Sequence, residues 1–194
     1  MTPLILINIV GRIVQISSGA ASGFVSKCSK SVVDMLVDPG VTMDQVQQVI
    51  ISPYLNIIEQ NLPDDKRAAA LEEAGLSDSG IVGAGYGLSK AALNAYTVEV
   101  ARKHPNLLIN SCTPGFIETD LTKPMAARNG STPEQMGMKS VDHGATSAVY
   151  LTMADLRAEL PGYQSGWYFG SDAVRSPLHK YRSPGDPPYD GSYP

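Results

Sequence analysis

Cysteine is nearly absent: two in 194 residues, Cys28 and Cys112. Two are too few for a disulfide framework, and they show no C-x-x-C spacing. The three histidines, His104, His143 and His179, stand far apart in sequence and suggest no zinc motif. No apolar run reaches the roughly 18 residues that span a bilayer. An excess of basic charge is also missing. Fifteen Lys and Arg stand against nineteen Asp and Glu, a net charge of -4, with no basic stripe of the kind nucleic-acid binders carry. What remains is an ordinary globular mixture, 43% hydrophobic and 18% charged, which argues against disorder. The length suits one domain and at most a tail. The apolar opening, residues 2–10, lacks the basic region and small-residue cleavage site of a signal peptide. It reads as a buried helix end or strand.

The rest alternates between strand-like and helix-like patterns. Residues 11–18, Gly-Arg-Ile-Val-Gln-Ile-Ser-Ser, form a β-branched run closed by Ser-Ser-Gly and predict a strand. Residues 19–41 have weak periodicity. Thr42-Met-Asp-Gln45 matches a capping box, and Val46, Val49, Ile50 and Ile57 follow as an apolar stripe. Gln45, Gln47, Gln48 and Glu59 supply the polar side, and Pro53 predicts a kink or a second helix from Ser52. A helix is expected over 64–74, stopped by Gly75, and then a Gly/Ser loop over 77–85. Residues 86–103 predict a long helix ended by Pro105. A buried strand over 107–112, a polar loop over 129–137, a helix over 141–156 and a short strand over 166–170 complete the order. Strand, helix, strand, helix, strand implies an α/β fold with a parallel sheet and covered faces. The Pro-rich tail, 176–194, reads as an irregular or extended arm.

Three segments carry candidate chemistry. Tyr86 and Lys90 stand four apart, so one helix face brings a phenol and an ammonium to the same place. A nearby cation favours a phenolate, which makes a tyrosine usable as a general acid or base. With nine tyrosines in the chain, the pair taken alone reads as a solvated helix pair. The Ser17–Ser18 doublet taken alone reads as turn chemistry. Pro114-Gly115 taken alone reads as a turn after a strand. All three nevertheless fall where a strand ends or the next helix begins, the edge of an open α/β sheet where ligands bind.

Together, and in this order, these segments resemble the short-chain dehydrogenase/reductase family. Residues 11–18 look like its serine-bearing strand. Tyr86-Gly-Leu-Ser-Lys90 looks like its YxxxK helix. Residues 110–120, Asn-Ser-Cys-Thr-Pro-Gly-Phe-Ile-Glu-Thr-Asp, look like its cofactor-side loop. The segment 19–85 is similar to the helical insertion of the monomeric NADPH-dependent carbonyl reductases. Gly144-Ala145 with Val149-Tyr150-Leu151 resembles a helix of the same group. The resemblance covers about residues 3–175, and it implies a Rossmann-type doubly wound sheet binding NADP.

It also implies roles. Tyr86 would give a proton to a substrate carbonyl oxygen. Lys90 would favour the phenolate and bond the nicotinamide ribose. Ser18, rather than Ser17, would hold the carbonyl oxygen. Pro114, Gly115, Ile117 and Thr119 would border the nicotinamide, and the substrate would be a small carbonyl compound. The chain departs from the family where a Gly-rich turn should cradle the pyrophosphate, because none precedes Ser18. The glycines of 80–85 stand in the wrong place. The expectation is therefore the C-terminal part of the Rossmann-type fold over 1–175, lacking its cofactor-binding half and inactive by itself. The strand 11–17 should then have an uncovered edge, met by a missing segment or by another chain. A second reading stays open, a non-catalytic, reductase-derived structural subunit of a larger assembly.

Overall fold

The computed structural model describes residues 10–77 and 84–193. The expectations for the opening residues and for most of the 77–85 loop lie outside these. Four strands make one sheet in the order β1-β2-β3-β4: β1 (Arg12–Ile16), β2 (Leu108–Cys112), β3 (Tyr168–Phe169) and β4 (Arg175–Ser176). β1 and β2 are parallel, with Arg12 opposite Leu108 and Ile16 opposite Cys112. β2 and β3 are parallel as well, and β4 turns back antiparallel to β3. Every residue of β2 is buried, as expected of a strand covered on both faces. The parallel order agrees with the sequence expectation, while β4 is an addition to it.

Helices fill the crossovers. The weakly periodic stretch after β1 holds two of them, α1 (Gly19–Val25) and α2 (Lys30–Val37). Next comes α3 (Met43–Val46), where Thr42 and Gln45 form the reciprocal capping box. A π-helical turn, Gln47–Ile51, leads straight into α4 (Ser52–Glu59). Pro53 has no N–H to give the turn before it, and the wider π turn accommodates that defect. The same turn shifts the helix register. Val46, Ile50 and Ile57 are buried, but Val49 is exposed and drops out of the expected stripe. α5 (Asp64–Glu73) ends at Gly75, whose φ of 73° suits glycine.

α6 (Ala84–Lys103) crosses from this layer to β2 and packs on α1 and the sheet. Small residues allow the approach. A Cβ on Gly87 would stand 2.8 Å from the Phe24 Cβ and 3.0 Å from the Ala20 carbonyl oxygen. α7 (Lys123–Arg128) follows β2, and α8 (Val141–Met153) and α9 (Leu156–Glu159) precede β3. Leu151 and Leu156 pack with Cys112, Phe169 and Val14 in a second core, separate from the one beneath α1–α6. Arg12 reaches across from β1 to the carbonyls of Leu151 (3.0 Å) and Ala154 (2.7 Å), a cation at the carboxyl end of α8. Among the described residues no helix is long and apolar enough to cross a membrane.

The tail is irregular but not a free arm. Buried Arg182 pairs with Asp172 and also donates to the Ser176 hydroxyl and to the carbonyls of Ser183 and Asp186. The Arg175 guanidinium lies 3.8 Å from the Trp167 ring centroid, and the Tyr193 hydroxyl donates to Asp34 on α2. A proline-rich composition withheld the ladder but did not prevent these side-chain anchors.

Candidate active site

The site is built at the carboxyl end of the parallel strands. The β1–β2 ladder ends with Ser17 N–H on the Cys112 carbonyl at 2.7 Å. There β1 is tied to α6 twice. The Lys90 Nζ donates to the Ile16 carbonyl at 2.9 Å, and the Ser17 hydroxyl donates to the Lys90 carbonyl at 3.3 Å. Ser17 is buried and committed to this link. Ser18 is the N-cap of α1, with extended backbone (φ -157°, ψ 153°), and its Oγ accepts from the Ala20 N–H at 3.2 Å.

Tyr86 begins the described side chains of α6 near this point and is 37% exposed, so its ring is open to a ligand. The Lys90 Nζ lies 5.8 Å from the Tyr86 ring centroid, as one helical turn dictates. Gly87, the next residue, meets Ala20 two residues after Ser18. Ser18, Tyr86 and Lys90 therefore come from adjoining stretches at one end of the sheet. Lys90 spends one of its three N–H donors on Ile16, which leaves two for other partners.

The second loop is braced from several sides. Gly115 has a φ of 90°, and a Cβ on it would stand 3.0 Å from the Ser171 Cβ, so this corner accepts only glycine readily. Pro114 beside it is half-buried. Ile117 is buried against Gly144, where a Cβ would come within 2.9 Å of the Ile117 Cγ1. The segment is held by Lys139, whose N–H donates to the Phe116 carbonyl and whose carbonyl accepts from Glu118 N–H, both at 2.9 Å. The Thr119 N–H donates to the Thr122 hydroxyl at 2.9 Å. Pro114 and Gly115 thus form a rigid corner beside the Ser18 loop, while Ile117 and Thr119 lie further along the same braced segment.

One residue of this corner was not singled out from sequence. Thr113 Oγ1 accepts from Gly115 N–H (3.1 Å) and from Gly19 N–H (3.2 Å). A threonine two residues before a glycine is a signal for such a side-chain turn, and the Pro-Gly pair masked it. Burial pushes the Cys112 thiol up to about 11, so it is an inert neighbour rather than a nucleophile. Among the described residues no group of His, Cys, Asp and Glu could hold a metal ion.

No family model matches the chain. It is 30% identical over 174 residues to the (+)-neomenthol dehydrogenase of Arabidopsis thaliana, covering 89% of this chain and 49% of that one. It is 26% identical over 162 residues to the NADPH carbonyl reductase 1 of Macaca fascicularis, covering 80% of this chain and 50% of the relative. The solved structure of salutaridine reductase from Papaver somniferum matches in fold with a TM-score of 0.52 and 24% identity, over 81% of this chain and 44% of that one. The chain spans about half the length of the curated relatives it matches. These relatives, the parallel α/β sheet and the ordered Ser18, Tyr86–Lys90 and Pro114–Gly115 segments point one way: the chain is similar in sequence and fold to enzymes of the short-chain dehydrogenase/reductase family.

Proposed function

We propose that the chain carries the substrate-side machinery of an NADPH-dependent reductase of ketones or aldehydes. The observation that carries this reading is the Lys90 bond to the Ile16 carbonyl, which fixes the ammonium beside the Ser18 loop and one turn from Tyr86. Tyr86 gives its phenolic proton to the carbonyl oxygen of the substrate. Ser18 donates a hydrogen bond to that oxygen while its lone pairs go on capping α1. Lys90 uses its free donors to hold a ribose, one helical turn from Tyr86. Pro114 and Gly115, with Ile117 and Thr119 behind them, border a flat nicotinamide ring against the braced corner. The nicotinamide cofactor supplies the hydride that reduces the carbonyl carbon. Preference for NADPH over NADH rests on the carbonyl reductase relative.

The fit is to the nicotinamide side. No Gly-rich turn precedes Ser18 in this sequence, and the reading assigns no residue of this chain to the adenosine or the pyrophosphate. A specific observation also keeps the structural-subunit reading in view. β1 has one strand partner among the described residues, and Ile13 and Ile16 are 38% and 47% exposed. The same edge is where a small-molecule enzyme would need a covering segment, so turnover decides between the readings. NADPH oxidation with a ketone is measured with the chain supplied with that covering segment. Tyr86→Phe should lower kcat by at least about a hundredfold, because it removes the proton donor and keeps the ring. No turnover in either protein favours the structural subunit, and unchanged turnover in Tyr86→Phe removes Tyr86 as the proton donor.

A further inference from the structure

We propose that Thr113 is a positioning residue: its hydroxyl sets the spacing between the Ser18 loop and the Pro114–Gly115 corner. The inference rests on the reductase reading for its consequence in turnover. The ladder between β1 and β2 ends at Ser17 and Cys112, and beyond it the two chains part into separate loops. One oxygen joins them again. Thr113 Oγ1 accepts from the N–H of Gly19, the residue after Ser18, at 3.2 Å. It accepts at the same time from the N–H of Gly115, the residue after Pro114, at 3.1 Å.

A threonine hydroxyl has two lone pairs and one proton. Both lone pairs are taken by the two glycine amides, so the proton must be given elsewhere. The buried Tyr168 phenol lies against the Thr113 and Ser22 hydroxyls. The Ser22 hydroxyl donates to the Pro177 carbonyl at 3.3 Å. Thr113 is 5% exposed, so water does not replace a lost partner easily. Its own N–H donates to the Phe169 carbonyl at 3.0 Å. That backbone bond survives any side-chain change, which makes substitution of the hydroxyl a local perturbation.

The test uses two variants and two readouts. Thr113→Val keeps the shape and removes the shared acceptor, and Thr113→Ser keeps the acceptor. Amide hydrogen exchange at Gly19 and Gly115 is followed by NMR in the 194-residue chain. Thr113→Val should speed exchange at both glycines by at least about tenfold, the loss of roughly one net hydrogen bond. Exchange at Ile109 in mid-β2 should stay as it was, and Thr113→Ser should behave as the unaltered protein. In NADPH-dependent turnover with the covering segment supplied, kcat should fall about tenfold in Thr113→Val, because displaced loops misalign the reacting groups. It should recover in Thr113→Ser. Equal exchange in the valine and serine variants overturns the proposal, and so does faster exchange with an unchanged kcat. If neither the unaltered protein nor Tyr86→Phe turns over while the valine variant loosens both glycines, the reductase reading falls and the spacing role stands.

Discussion

The two margins of the sheet are built in opposite ways. At the β4 margin the chain folds back on itself. Arg182, with a side chain 5% exposed, is surrounded by Asp172, Ser176 and the carbonyls of Ser183 and Asp186. Arg175 is sandwiched between Trp167 and Tyr189. At the β1 margin apolar side chains face outward. Ile13 and Ile16 are exposed on the strand, and α8, which packs on β1, presents Val149 and Met153 at 55% and 76% exposure. One margin is sealed by charges that need one another, and the other is an apolar surface left uncovered among the described residues. The candidate site lies between them, held by the Lys90–Ile16 and Thr113 bonds rather than by either margin. Its geometry therefore should not depend on the open margin being covered, whereas cofactor retention and solubility should.

The largest expected effect comes from unsealing the closed margin. Arg182→Leu leaves the Asp172 carboxylate without its partner and strands two carbonyls. Breaking a buried pair from one side costs about 3 kcal/mol or more. Urea denaturation should show that loss, and a shift below about 0.5 kcal/mol, the usual surface range, would mean the strap is only loosely docked.

Acid should open the same margin by a smaller amount. Burial opposes ionisation of Asp172, but the Arg182 guanidinium and the Gly185 N–H outweigh it and hold the carboxyl below its usual range. A group with a depressed folded pKa stabilises the fold above its unfolded value, near 3.9, and loses that contribution as pH falls through the folded value. The urea midpoint should therefore drop below about pH 4, and the Asp172→Asn variant should lack that component of the drop. Equal pH dependence in both proteins would remove Asp172 from the account.

How much of this was visible in the residues differs from part to part. The parallel order was legible because two apolar runs, one ending in Ser-Ser and one followed by Pro-Gly, alternate with helix-like segments. The capping box at Thr42 and Gln45 was legible because it is a local, reciprocal pattern. α1 was not, because its first five residues are all small, and its two large apolar residues, Phe24 and Val25, are adjacent at its end and show no period. Val49 was misplaced because periodicity assumes 3.6 residues per turn, and the π turn beside it breaks that count. The Tyr86–Lys90 spacing stands in the sequence itself, whereas Thr113 acts through one oxygen shared by two distant loops. The anchors of the irregular tail were not legible for a related reason. Arg182 finds its partners ten residues back and in backbone carbonyls, neither of which composition records.

The smallest expected effect tests the open margin most directly, by comparing neighbours on one strand. Ile13 and Val14 are both β-branched and differ in surroundings. Ile13 is 38% exposed, and Val14 packs with Leu151, Cys112 and Phe169 beneath α8. Threonine keeps the branching, and so the strand preference, at both positions. Ile13→Thr should change the stability of the chain by no more than about 0.5 kcal/mol. Val14→Thr puts a hydroxyl into an apolar core and should cost about 1 kcal/mol or more. Urea denaturation of the two variants measures the difference, and light scattering should show less self-association for Ile13→Thr. The edge surface is apolar, so if nothing covers it in solution, removing a methyl-rich side chain lowers the drive to associate without touching the core. Equal losses in the two variants would mean that Ile13 is covered in solution, and the open margin would then be an interface already in use.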